Sequence, residues 1–166
     1  MNRSQTVAPA TEPVGLAEAK LHLRVDTSQD DDLIEALIAA AREQAEYLTG
    51  QRLITQTWEL ELSAGESVSL WGLVPLQSVS STISANISVD ANWPPTATAN
   101  LADTVTITCG FGDADDVPRS IRQWMLLRIG ALYEQREAVV SGVASLQALP
   151  RPVGDALLDP YCLPRC

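Results

Sequence analysis

The spacing of apolar residues changes twice along the chain, and this limits the possible folds more than any other feature. Within residues 26–50, apolar side chains recur every three or four positions, which predicts an amphipathic helix. Between residues 52 and 110, apolar and polar side chains mostly alternate, as they do in half-buried strands. The helical spacing returns from residue 117. The pattern predicts an α+β protein in which a β-rich segment interrupts a small helical core.

The two ends of the chain lack this periodicity. The first residues, MNRSQTVAPATEPVG, are polar, contain two prolines and include no apolar block typical of a signal peptide. We expect both ends to be arms that become ordered on binding a neighbour. A length of 166 residues is enough for one domain. The predicted parts are a flexible N-terminal arm (1–14), a single domain (15–160) with helical parts (15–50 and 117–160) and an antiparallel β-insertion (51–112), and a C-terminal tail (161–166).

The helix predicted within residues 26–50 has one apolar face and one polar face. Three aspartates at its start favour a helix N-terminus, where the macrodipole is positive, and Gly50 is placed to end it. The apolar residues are Leu33, Ile34, Leu37, Ile38, Ala41, Ala45 and Leu48. The residues predicted on the solvent side are Asp32, Glu35, Arg42, Glu43 and Glu46.

The strands predicted in the β-insertion are rich in serine and threonine. This composition predicts that one face of the sheet is exposed to solvent or contacts a partner. Residues 91–100, ANWPPTATAN, are predicted to be a loop, because two prolines disfavour a central strand. Trp93 is expected at the exposed tip of this loop, which makes the insertion a candidate docking surface.

The helix predicted from residue 117 carries one cation in an apolar stretch, WMLLRIGALY. Such a helix, apolar nearly all round, is expected to be buried on more than one side, and the second side is expected to meet another subunit. Arg128 falls inside the main apolar face, where an unpaired guanidinium would be costly. It either pairs across a subunit boundary with the acidic face of the first long helix, or extends to solvent from the rim of the core.

Composition argues against several classes of function. The net charge of −10, from 21 acidic and 11 basic residues, disfavours tight phosphate binding. Arg119, Arg122 and Arg136 lie near one another on the final helix, but its apolar middle disfavours a DNA-reading role. No apolar run is long enough to span a bilayer, so we expect no membrane partner. We expect the protein to be synthesised in a cytoplasm.

Enzymatic and metal sites receive little support. His22 is the only histidine, so neither a Ser–His–Asp triad nor a four-ligand zinc site with the three cysteines is favoured. The segment GFGDADD lacks the third glycine of a dinucleotide loop and the later ligands of a calcium loop. We expect no enzyme activity, cofactor or metal.

In chain order, six segments resemble the head–tail connector, or head-completion adaptor, family of long-tailed phages, and they span residues 15–161. This sequence departs from the resemblance at Arg128, where relatives usually look apolar. The segments are LAEAKLHLRVD, DDDLIEALIAAAREQAEYLTG, LITQTWEL, PLQSV, GFGDADDVPRSIRQWMLLRIGALYEQREAV and DALLDPY.

The resemblance implies a structural protein of the virion neck. Such proteins form a ring, typically of twelve copies, beneath the portal protein, and extend a channel through which DNA passes without specific binding. They also present a docking surface for a stopper or tail-terminator protein. The alternatives are another neck or tail-completion protein, or a small DNA-packaging or DNA-processing protein. The candidate subunit-interface residues are Arg128, Trp124, Tyr133, Arg136, Glu35, Glu43 and Glu46, and the candidates for docking a neck partner are Trp93, Pro94 and Tyr161.

Overall fold

The structure is a computed structural model that describes residues 2–83, 86–90, 92–134 and 155–164. The described residues form helices α1 (Leu16–Leu23), α2 (Asp31–Thr49) and α3 (Arg119–Glu134). The strands are β1 (Asn2–Val7), β2 (Gln56–Leu62), β3 (Ser67–Ser69), β4 (Leu76–Ser81), β5 (Ile87–Asp90), β6 (Thr96–Ala99) and β7 (Asp103–Cys109). Short 3-10 turns occupy Ala114–Asp116, Asp155–Leu157 and Asp159–Tyr161. The α+β class predicted from the sequence is confirmed.

The three helices pack around one apolar core. Gly50 ends α2 in the left-handed conformation, with φ of 73°, and its N–H donates to the Glu46 carbonyl, as the sequence predicted. From α3, Trp124 and Ile129 enter the same core. The buried residues of this helical core are Val14, Ala19, Ile34, Ile38, Ala41, Ala45, Leu53, Ile54, Val117, Ile121, Trp124, Met125, Leu126, Ile129 and Leu158.

Together with β1, the β-insertion forms two antiparallel sheets rather than the single sheet that was expected. One sheet has four strands in the order β1-β2-β7-β4, and the other has three in the order β3-β6-β5. The segment 78–90 therefore supplies strands to both sheets. Side chains from both sheets make a second core, separate from the helical one. Its buried members are Leu60, Leu62, Val68, Leu70, Leu73, Ala97, Ala99, Val105, Ile107 and Cys109.

The prediction of a loop over residues 91–100 was wrong for Thr96–Ala99. These residues form β6, the central strand of the three-stranded sheet. Pro94 and Pro95 precede the strand, so neither removes an N–H from its ladders. The small side chains of Ala97 and Ala99 are fully buried between the sheets.

The N-terminal residues also contain regular structure that was not expected. Asn2–Val7 form β1, which pairs antiparallel with β2, so that Ser4 lies opposite Glu59. The strand gives little sequence signal because none of its side chains is buried. The flexibility of this arm in a free subunit stays a prediction.

The C-terminal segment packs against the end of α2. Leu158 is buried in the helical core, and the Gln51 amide donates a 2.6 Å hydrogen bond to the Tyr161 carbonyl. The Leu163 N–H donates to the Thr49 carbonyl at 2.9 Å. Residues 155–164 are thus attached to the helical part of the fold. The sequence had suggested that the domain ends at residue 160, before the last of these contacts.

Candidate assembly surfaces

Arg128 lies half-buried beside α2. Its Nε donates a 2.7 Å hydrogen bond to Oε1 of Gln44, so its partner inside the subunit is an amide oxygen. A neutral amide satisfies one donor but does not balance the charge of a guanidinium. A carboxylate supplied by a neighbouring subunit therefore stays a prediction, with Glu35 and Glu43 exposed on α2.

The prediction that Glu46 faces solvent was wrong. Glu46 is 4% exposed. Its Oε2 lies 2.7 Å from Arg52, and its Oε1 accepts hydrogen bonds from the Leu53 N–H at 3.0 Å and the Gln56 amide at 3.2 Å. After Gly50 the chain passes back over the last turns of α2 and covers the face that a helical wheel assigns to solvent. Glu46 is therefore not available as a partner for Arg128 of another subunit.

The Glu46 carboxylate belongs to a network that joins the helical part to the four-stranded sheet. Arg52 binds Glu46 with one nitrogen and donates from Nε to the Gly72 carbonyl at 2.8 Å. The guanidiniums of Arg52 and Arg3 lie 4.8 and 4.9 Å from the centroid of the Trp58 ring. Burial, and then the nearby Arg52 charge, lower the pKa of Arg3. The network thereby holds β1, β2 and α2 together.

The aromatic residues of α3 contact their own subunit. Trp124 is 5% exposed and belongs to the helical core. A place for Trp124 at a subunit boundary stays a prediction, and this burial disfavours it. Tyr133 is partly buried, and its hydroxyl donates a 2.5 Å hydrogen bond to Asp30. Arg136 lies outside the described residues.

The candidates for docking a neck partner lie in two different places. Trp93 is 41% exposed, as the sequence predicted, and Pro94 beside it is half-buried just before β6. Tyr161 packs partly against the helical core. Tyr161 lies against the helical core, whereas Trp93 stands just before β6 of the three-stranded sheet, so the two belong to different parts of the fold.

The outer face of the four-stranded sheet is polar, and the sequence predicted this only in general terms. Strand pairing places serine, threonine and glutamate side chains on the outer face of the four-stranded sheet, opposite the buried Leu60, Val105 and Ile107. We call this the hydroxyl face. Its paired positions include no lysine or arginine, so it has no cation to hold a phosphate. Its members are Asn2, Ser4, Thr57, Glu59, Glu61, Ser78, Ser80, Thr104, Thr106 and Thr108.

Each of the three helices also leaves a large apolar side chain in solvent. Leu21 of α1 is 81% exposed, Tyr47 of α2 is 64% exposed and Leu127 of α3 is 43% exposed. The exposure of Leu127 agrees with the expectation that the subunit's own core covers only part of α3. Such positions are available for contacts between subunits.

The described part of the chain offers no group of three or more His, Cys, Asp or Glu side chains that could hold a metal ion. Among its helices, none is both long and apolar enough to cross a membrane. Cys109 is buried, and this burial raises the pKa of its thiol to about 11, so the thiol is unsuited to nucleophilic chemistry near neutral pH.

The model of the phage gp6-like head-tail connector protein family matches residues 14–155. The chain belongs to this family. The match confirms the family expected from the sequence, and makes the connector a structural virion component of the head–tail junction. The matched residues include all of the sheet core and, apart from Leu158, all of the buried helical core, but they begin after β1.

Solved structures share the connector's fold. A chain in the neck of an empty gene transfer agent (GTA) particle, computed with C6 symmetry, aligns with a TM-score of 0.76 and 21% identity. A chain in the neck of a native GTA particle, computed with C12 symmetry, aligns with a TM-score of 0.68 and 22% identity. Both alignments cover 100% of the connector and 97% of the other chain. No curated protein matches the connector.

Proposed function

We propose that the connector forms a closed ring of twelve copies in the virion neck, between the portal protein and the tail. The observation that carries this proposal is the family match over residues 14–155. The likeness to chains from GTA necks computed with sixfold and twelvefold symmetry supports it. In this role the connector is a structural protein and catalyses no reaction.

A ring needs two different contact surfaces on each subunit, because every copy meets one neighbour on each side. The exposed apolar side chains of the three helices and the edges of the four-stranded sheet are the surfaces proposed for these contacts. Arg128 is proposed to lie at such a contact, where Glu35 or Glu43 of the next copy neutralises its charge.

The ring extends the DNA channel of the portal and presents a docking surface to a stopper or tail-terminator protein. The charge of −10 per subunit suits a channel through which DNA slides without adhering. Trp93 and Pro94, at the exposed turn before β6, are proposed to contact the tail-side protein.

Native mass spectrometry of the purified protein, alone and mixed with the portal protein, tests this function. The expected species is a ring of twelve 17.9-kDa subunits that also binds the portal. Retention of DNA at low salt is measured alongside, and little retention is expected for a subunit of this charge. A protein that stays monomeric with the portal present, or that holds DNA tightly, would contradict the proposal.

A further inference from the structure

The four-stranded sheet ends in two strands that have no further strand beside them in the described part of the chain. These are β1 on one side and β4 on the other, each of six residues. The outer edge of such a strand presents N–H and C=O groups that can pair with a strand of another chain.

Neither edge presents a free charge or a proline of the kind that often prevents such pairing. Natural edge strands are often blocked by lysine, by other charges or by proline. β4 has the sequence LQSVSS, without charge or proline, and β1 has the sequence NRSQTV. The one charge in β1, Arg3, binds the Gly72 carbonyl at 3.2 Å and lies over Trp58. It is therefore held by the subunit's own network rather than extended along the free edge.

The directions of the two edge strands suit a ring. The three pairings β1·β2, β2·β7 and β7·β4 are all antiparallel, so β1 and β4 run in opposite directions. Neighbouring copies in a ring are related by a rotation alone. When the strands run along the ring axis, β4 of one copy meets β1 of the next in antiparallel orientation. Each edge is thus the complement of the other.

The irregular parts of the two strands lie at the same end of the sheet. The register shifts between Gln5 and Val7 in β1, and between Leu76 and Ser78 in β4. Both shifts are at the end where Val7, Thr57, Thr108 and Ser78 stand in one row. Residues 2–5 and 78–81 are left as regular stretches of equal length, available for pairing.

We propose that β4 of one subunit pairs with β1 of the next copy, so that the four-stranded sheets join into one sheet around the ring. This inference rests on the proposed ring. A second copy of the chain is the partner, because the two edges match in length, direction and the position of their irregularities. The pairing places the hydroxyl faces of neighbouring copies side by side. Because β1 precedes the region that the family model matches, the contact concerns a segment outside that shared region.

Paired cysteines test the contact. Ser4→Cys and Ser80→Cys are combined in one chain in which Cys162 and Cys166 are replaced by serine, whereas the buried Cys109 is kept. Ser4 and Ser80 stand in the same row, but two strands separate β1 from β4. Their separation of about 14 Å excludes a disulfide within one subunit. Oxidation of the assembled ring is expected to give a ladder of covalent oligomers on a non-reducing gel, and oxidation of dilute monomer none.

A second pair of cysteines on the two edge strands tests another register, and a pair that includes the central strand β7 is the negative control. Ser4→Cys with Ser78→Cys tests a register displaced by two residues on the same face. Ser4→Cys with Thr106→Cys is the matched control, because Thr106 stands in the same row but on the central strand β7. The control is expected to give no ladder.

The outcomes separate the contact from the ring itself. If native mass spectrometry detects the ring but neither edge pair forms a ladder, the strand pairing is wrong and the ring function stands. A covalent product with the tail-side protein instead of a second copy also overturns the pairing. If no ring forms, alone or on the portal, the proposed function fails and the strand pairing fails with it.

Discussion

Replacing Glu46 by glutamine removes the buried charge that joins the helical part of the subunit to its sheet. The carboxylate is 4% exposed and lies 2.7 Å from Arg52. Removing one partner of a buried ion pair costs about 3–5 kcal/mol. Glutamine keeps the volume and one acceptor oxygen for the Leu53 N–H, and Arg52 keeps its hydrogen bond to the Gly72 carbonyl. We therefore expect the free energy of unfolding to fall by about 3 kcal/mol, the lower end of that range.

Equilibrium urea unfolding of the dilute monomer, followed by far-UV circular dichroism, measures this change. Glu43→Gln is the matched control, because the Glu43 side chain is 72% exposed and lies 3.9 Å from Arg42. The control is expected to change the free energy of unfolding by less than about 0.5 kcal/mol. If the free energy of unfolding of Glu46→Gln also changes by less than about 0.5 kcal/mol, with an unchanged m-value, the reasoning about the buried pair is refuted.

Two further predictions concern assembly. Arg128→Ala loses the hydrogen bond to Gln44, which is expected to lower the stability of the isolated subunit by about 1 kcal/mol. If Glu35 or Glu43 of a neighbouring copy pairs with Arg128, the same substitution should impair ring assembly more strongly than folding. Melting temperature and native mass are both measured, and a lower melting temperature with normal assembly would assign Arg128 to the subunit's own structure. Trp93→Ala should leave the melting temperature nearly unchanged and weaken binding to the tail-side protein, since Trp93 is 41% exposed. A large fall in melting temperature would instead show that Trp93 stabilises the fold.

The elements that the sequence predicted well are those with strong local signals. Helix α2 has acidic residues at its start, helical apolar spacing and Gly50 at its end, and each of these acts within a few residues. The alternation in β2 and β7 places large apolar side chains on one face, which marks both segments as strands.

The elements that were missed have little local signal. β1 buries no side chain, so its sequence is indistinguishable from a polar arm. β6 has the sequence TATA, in which the buried residues are alanines and two prolines stand just before. Glu46 lies on the polar side of its helix, and only the return of the chain over α2 buries it. That return is a tertiary feature that helical periodicity does not contain.

For the candidate assembly surfaces, too, some features could be predicted from the sequence and others could not. The family could be predicted because the order of short motifs along the chain is a sequence property. The edges of the sheet could not, because β1 and β4 become edges only through pairing with β2 and β7. Which strands lie outermost is decided by contacts between distant parts of the chain, and the contact surfaces of the ring depend on that choice.

The order of β1 and β2 along the chain also affects when the sheet is completed during synthesis. β1 is made first, but its partner β2 follows only after all of α1 and α2, and β7 later still. Bringing β1 to β2 closes a long loop of chain at an entropic cost, and β1 has no buried side chain to offset it. While α1 and α2 are being made, β1 therefore has no partner strand in its own chain.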